Sequence, residues 1–168
     1  MTLLIFLGIV VLFVGVVSDI LTTSKLPNDD TGKKFESNTN FMKICERWGF
    51  KAWIGMEIFI IIVLEVIDLI FLKLPSFFSI AYGAFRVVAA TRNFKIINDY
   101  QKVGIAAFRK DNERRRQYFA YFLICIVAFV VIPVIAYMFK VNLFLTLSIE
   151  GLILGMGVAF FRIYHLTH

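Results

Sequence analysis

Five stretches of this chain run apolar for about the length of a membrane-crossing helix, at residues 2–23, 52–72, 77–95, 118–139 and 143–164. A helix rises ~1.5 Å per residue, so ~20 apolar residues cover the ~30 Å hydrocarbon core of a bilayer. The pattern predicts an all-α bundle of five transmembrane helices, forming a single integral membrane domain over residues 1–168. The first run has no Lys or Arg before it and is longer than the apolar core of a secretion signal, so it is expected to be a retained span.

Polar positions define the connections. Residues 24–51 open with the turn signals Pro27-Asn28-Asp29-Asp30 and Thr31-Gly32. Further on, Phe41, Met42, Ile44 and Cys45 are mixed with Lys43, Glu46 and Arg47, which predicts a short interfacial helix over residues 35–48. Trp48, Phe50 and Trp53 read as an aromatic belt at the entry of the second span. Pro75-Ser76 and Lys140-Val141-Asn142 are tight turns, and Pro133 lies inside the fourth span, where it would kink the helix.

Composition agrees with this class. The chain is 60% hydrophobic and 18% charged, against roughly half and a quarter in a soluble domain. The net charge of +6 could suggest nucleic acid, but the basic residues flank the apolar runs, as topology requires, so no nucleic-acid partner is expected. Fifteen basic residues fall on one side of the five spans and only Lys73 and Lys140 on the other. The positive-inside rule then predicts the N-terminus outside and the C-terminus inside. Residues 96–117 carry Lys102, Arg109, Lys110 and the run Arg114-Arg115-Arg116, suited to anionic lipid headgroups.

Charges inside the apolar runs are the candidate chemistry. Glu57, Glu65 and Asp68 project from one side of the second span at ~100° per residue. Counted from the outer end of each span, Glu65, Arg86 and Glu150 fall in one layer ~10–14 Å deep. This predicts an intramembrane Glu65/Arg86/Glu150 cluster with Asp68 nearby, because a guanidinium between carboxylates lowers the cost of burying each. A second polar group, Asp19, Thr22, Thr23, Glu57, Arg92 and Asn93, is expected near the cytoplasmic face, with Arg162 close enough to help hold a phosphate or polar solute. Small residues at Ala81, Gly83 and Ala84, and again at Gly151, Gly155 and Gly157, predict close helix packing.

Catalytic signatures are missing. Cys45 and Cys125 lie in different kinds of segment and make neither a redox pair nor a metal site. His165 and His168 share a helix face but have no neighbouring acid or cysteine, so no metal and no cofactor is expected. The pattern Asp19-x-x-Thr22-Thr23, Glu36-x-Asn38 and Asn93 resembles an uncharacterised prokaryotic family of small polytopic membrane proteins. That resemblance covers the first ~95 residues and implies no activity. Thr39 stands here where the family often has Pro, and Arg92-Asn93 replaces its paired Asn.

Three functional classes are open at this point. The chain could be a binding or transport-type bundle using the Glu/Arg/Glu cluster. It could be a non-catalytic accessory subunit of a larger membrane complex, pairing with a membrane-protein partner or with itself. It could also be a membrane enzyme acting on lipid headgroups near Asp19.

Overall fold

The computed structural model describes residues 2–27, 47–68, 70 and 77–166, which form helices joined by short turns, with no strand among them. In chain order the helices are α1 (Thr2–Ser24), α2 (Phe50–Ile67), α3 (Phe77–Val103), α4 (Ala106–Glu113), α5 (Arg115–Met138) and α6 (Leu143–Leu166). Two stretches, Arg109–Met138 and Leu145–His165, are long and apolar enough to cross a membrane, and Gly8–Ser24 is a shorter apolar helix. The expected interfacial helix over residues 35–48 lies almost wholly outside the described residues; its last two, Arg47 and Trp48, are helical and exposed.

α3 is the centre of the bundle, packing most extensively against α1 on one side and α6 on the other. Small residues make both approaches possible. A Cβ added to Gly83 would lie 2.7 Å from the Leu12 backbone, and one added to Gly15 would strike the carbonyl of Gly83. On the other side, a Cβ at Gly155 would strike the Ala81 carbonyl, and one at Gly151 would sit 2.8 Å from the Phe77 carbonyl oxygen. These helices touch backbone to backbone, an approach that residues without a bulky side chain permit.

The contacts also give direction and register. Leu12 and Gly15 meet Gly83, while Leu26 meets Ile96, so α1 runs parallel to α3. Gly151 meets Phe77 and Gly155 meets Ala81, so α6 is parallel to both. α2 is antiparallel to α3, with Asp68 at the start of α3 and Glu57 beside Tyr82 and Arg86. α5 returns antiparallel along α6 through an aromatic seam: Tyr121–Phe160 at 5.3 Å, Phe119–Tyr164 at 4.8 Å and Phe122–Phe161 at 5.0 Å between ring centroids. Gly157 faces the Cys125 side chain across the same seam. α5 is helical through Pro133.

Two element boundaries differ from the sequence reading. α3 continues eight residues beyond residue 95, to Val103, and residues 106–113, expected as part of the basic connection over residues 96–117, form α4. Buried ion pairs hold this polar extension together. Arg92 donates to Asp111 Oδ2 through Nε at 3.1 Å and through Nη2 at 2.6 Å, and Tyr118 Oη donates to Asp111 Oδ1 at 3.2 Å. Arg114 Nη2 donates to Asp99 Oδ2 at 2.6 Å. A charged pair with such geometry fixes where α4 turns back, although hydropathy marks the segment only as polar.

Candidate functional site

The bundle's buried charge centre is built on α1, α2 and α3. Arg86 Nη1 donates to Asp19 Oδ2 at 2.6 Å, and Arg86 Nη2 donates to Glu57 Oε1 and to the Tyr82 hydroxyl. Tyr82 Oη in turn donates to Glu57 Oε2 at 2.6 Å, closing a ring of guanidinium, phenol and carboxylate. Asp19 also accepts from Thr23 Oγ1 at 3.4 Å and from Asn93 Nδ2 at 3.3 Å, and Asn93 Nδ2 lies 3.0 Å from Thr23 Oγ1.

Each helix supplies its share through spacing. Asp19 and Thr23 are four apart on α1, so they stack on one face with Gly15. On α3, Gly83, Arg86 and Asn93 lie within ~80° of each other around the helix, and Tyr82 is four before Arg86. Glu57 faces them from α2. Only 9%, 6% and 2% of the Arg86, Asp19 and Glu57 side chains remain exposed, so the charges are shielded and depend on one another. The guanidinium carbon is also 4.9 Å from the Tyr82 ring centroid and 6.0 Å from that of buried Trp53. Arg86 Nε is buried and has no hydrogen-bond partner among the described residues.

This centre takes Arg86 from one sequence-predicted cluster and Asp19, Thr23, Glu57 and Asn93 from the other. The structure does not bring Glu65, Asp68 or Glu150 to Arg86. Register is the reason. Phe77, at the start of α3, lies beside Gly151, about two turns into α6, so α3 begins ~12 Å along the α6 axis. Glu150 is therefore ~15 Å from Arg86 along that axis, although each is eight or nine residues into its own helix. Glu65 is eight positions from Glu57 on α2, or ~12 Å. Azimuth excludes Glu150 as well: Arg86 shares the α1-facing side of α3 with Gly83, whereas Ala81, which meets α6, is ~140° around the helix.

The remaining predicted residues have other partners. Asp68 caps α3: its Oδ1 accepts from Phe78 N at 2.9 Å, and its Oδ2 from Ser79 N at 3.0 Å and Ser79 Oγ at 3.1 Å. These are orphan donors of a helix N-terminus, satisfied by a carboxylate from the preceding helix. Glu65 is half-buried, and its Oε1 has no hydrogen-bond partner among the described residues. Arg92 belongs to Asp111 instead of Asp19. Thr22 hydrogen-bonds back to the carbonyls of Ser18 and Asp19 on its own helix. Arg114, expected to face headgroups, is turned inward to Asp99, whereas Arg116 is exposed; the side chain of Arg115 lies outside the description. His165 packs edge-on against Phe161 at 4.3 Å, and His168 is outside the described residues.

Tyr82 and the Arg86–Asp19 pairing were missed by depth counting. The signal was present: Arg86 and Asn93 are seven apart, so whatever face Asn93 presents to Asp19, Arg86 presents too.

Beside the charge centre, a cavity of about 340 Å³ opens between α2, α3 and α6. Tyr82, Phe85 and Arg162 line it along with apolar side chains. Comparison with protein-family models, curated proteins and solved structures finds no match to this chain.

Proposed function

We propose that the chain is a five-span integral membrane protein, N-terminus out and C-terminus in, that binds or transports a proton or small cation at the Asp19/Glu57/Arg86/Tyr82 centre. The carrying observation is the charge count of that centre: two carboxylates share one guanidinium in a buried site. The pair of acids leaves a formal surplus of one negative charge, which a bound proton or monovalent cation offsets.

Helix directions support the topology. α1, α3 and α6 run one way and α2 and α5 the other, as successive spans do. With the start of α6 at the outer boundary, Arg86 falls ~25 Å in, close to the inner edge of a ~30 Å core. The polar end of α3, with Arg92 and Asp99, then lies beyond the hydrocarbon on the basic side.

Proton uptake into liposomes tests this. Wild type is expected to acidify the lumen under an imposed gradient, and Glu57→Gln, which removes the surplus charge, to abolish it. Equal flux in both proteins, or none in either, would reject the transport reading.

An accessory-subunit role is a second reading, favoured by α5. One side of α5 makes the aromatic seam, while Ile124, Val127, Val130, Val131 and Val134 point away from the bundle. Stoichiometric co-purification of another membrane protein would decide for it.

A further inference from the structure

The cavity between α2, α3 and α6 has two chemically different ends. Leu64, Phe78, Ala81, Leu154 and Val158 form an apolar trough, and Arg162 stands at the other end with Tyr82 and Phe85. The Arg162 guanidinium carbon lies 5.5 Å from the Phe85 ring centroid, with Arg86 5.8 Å from the same ring. Arg86 is neutralised by Asp19 and Glu57, whereas Arg162 has no ion pair among the described residues. A half-buried guanidinium held over an aromatic ring, without a carboxylate, is a site for an anion, because its donors are planar, fixed and unpaired.

The register places these ends at meaningful depths. Arg162 is nineteen residues beyond Leu143, or ~28 Å along α6, which is the level of the inner headgroups if α6 starts at the outer boundary. Leu154 is ~12 Å nearer the middle, and Phe78, close to the start of α3, is ~3 Å farther. The trough thus runs from headgroup depth toward the bilayer centre, the path of an acyl chain within one leaflet. A soluble anion would match Arg162 but leave the apolar trough unused, and a lipid without phosphate would leave the guanidinium unpaired. A zwitterionic phospholipid would bring a quaternary ammonium up to the Arg162 guanidinium along with its phosphate, so a net-anionic headgroup is the better match.

We propose that this cavity is a binding site for an anionic phospholipid of the inner leaflet, with its phosphate on Arg162 and one acyl chain along Leu154, Val158 and Phe78. The site rests on the membrane topology proposed above, but it is independent of proton or cation binding. Tyr82 belongs to both, so an occupied cavity would wall one side of the charge centre against water.

Native mass spectrometry in mild detergent tests the site, with phosphatidylglycerol and phosphatidylcholine of identical chains offered in equal amounts. Alkaline extraction of membranes comes first; release of the chain at that step would overturn the topology and the lipid site with it. With the chain retained, wild type is expected to keep one phosphatidylglycerol in preference to phosphatidylcholine. Arg162→Gln should lose that preference by about tenfold, the size of one charge-assisted contact. Lys140→Gln, an exposed basic change in the turn before α6 and outside the cavity, should leave it unaltered. Leu154→Trp should reduce retention of both lipids by filling the trough, and Val158→Phe does the same from the accessible wall. An unchanged preference in Arg162→Gln, or equal retention of both lipids by wild type, would overturn the proposal.

Discussion

Arg86 and Asp19, sixty-seven residues apart, are joined by a 2.6 Å ion pair that ties the central helix to the first one. Glu57 completes the arrangement from α2, so one guanidinium holds three helices in register. A shielded ion pair of this kind contributes little net stability when intact, because desolvation offsets most of the attraction, but breaking it leaves a buried charge unpaired.

Arg86→Met should therefore destabilise the bundle by ~3–5 kcal/mol, leaving Asp19 and Glu57 facing each other. Thermal unfolding in detergent measures it. Adding Glu57→Gln and Asp19→Asn to Arg86→Met should restore much of the loss, since the unpaired charges are then gone. Three fully additive losses would mean that the groups do not interact.

The glycine contacts predict a sharp contrast. Gly83→Ala drives a Cβ to within 2.7–2.8 Å of the α1 backbone, which has no side chain to move aside, so α1 and α3 must separate. Overpacking of this kind costs ~1–3 kcal/mol or more. Gly55→Ala on α2 meets nothing within 4 Å and should be neutral or stabilising by up to ~1 kcal/mol, from the lower entropy cost of Ala in a helix. Similar unfolding temperatures for the two variants would contradict the close α1–α3 approach.

Asp68 offers a test at the other end of α3. Asp68→Ala removes the acceptor of two backbone donors and one hydroxyl, and a loss of ~0.5–2 kcal/mol is expected. Hydrogen exchange should quicken first at Phe78 and Ser79. Exchange spread evenly along α3 would indicate a global effect instead of a lost cap.

Acidification should loosen the junction of α3, α4 and α5. The hydrogen bond from Arg114 holds the Asp99 carboxyl below the usual carboxylate range, with Lys110 and Lys95 adding to it. A depressed folded-state pKa gives stability that is present above the ordinary Asp value of ~3.9 and is lost as pH falls through the lower folded value. Protection of the α4 amides should therefore drop below about pH 4, and Asp99→Asn should remove that acid-dependent step. A wild-type profile unchanged by Asp99→Asn would locate the acid sensitivity elsewhere.

Much of the helical layout was legible because it depends on local properties. Apolar runs bounded by turn residues predict helices near residues 2–23, 118–139 and 143–164, and helices occur there as α1, α5 and α6. Small residues at Gly83, Gly151 and Gly155 marked close approaches, although sequence could not say which backbone each would meet. The extension of α3 to Val103 and the formation of α4 were hidden because tertiary ion pairs, Arg92–Asp111 and Arg114–Asp99, stabilise residues whose hydropathy resembles a loop.

The sequence by itself determined that the chain is helical, that charged side chains interrupt its apolar faces and that basic residues gather between particular runs. These follow from composition and from the 3.6-residue period, which need no knowledge of neighbours. The partners of Arg86 were decided only by the tertiary structure. Axial offset and azimuth between helices choose Asp19 and Glu57 over Glu65 and Glu150; glycine contacts set them for α1 and α6, and the Asp68 cap with the Tyr82–Glu57 bond sets them for α2.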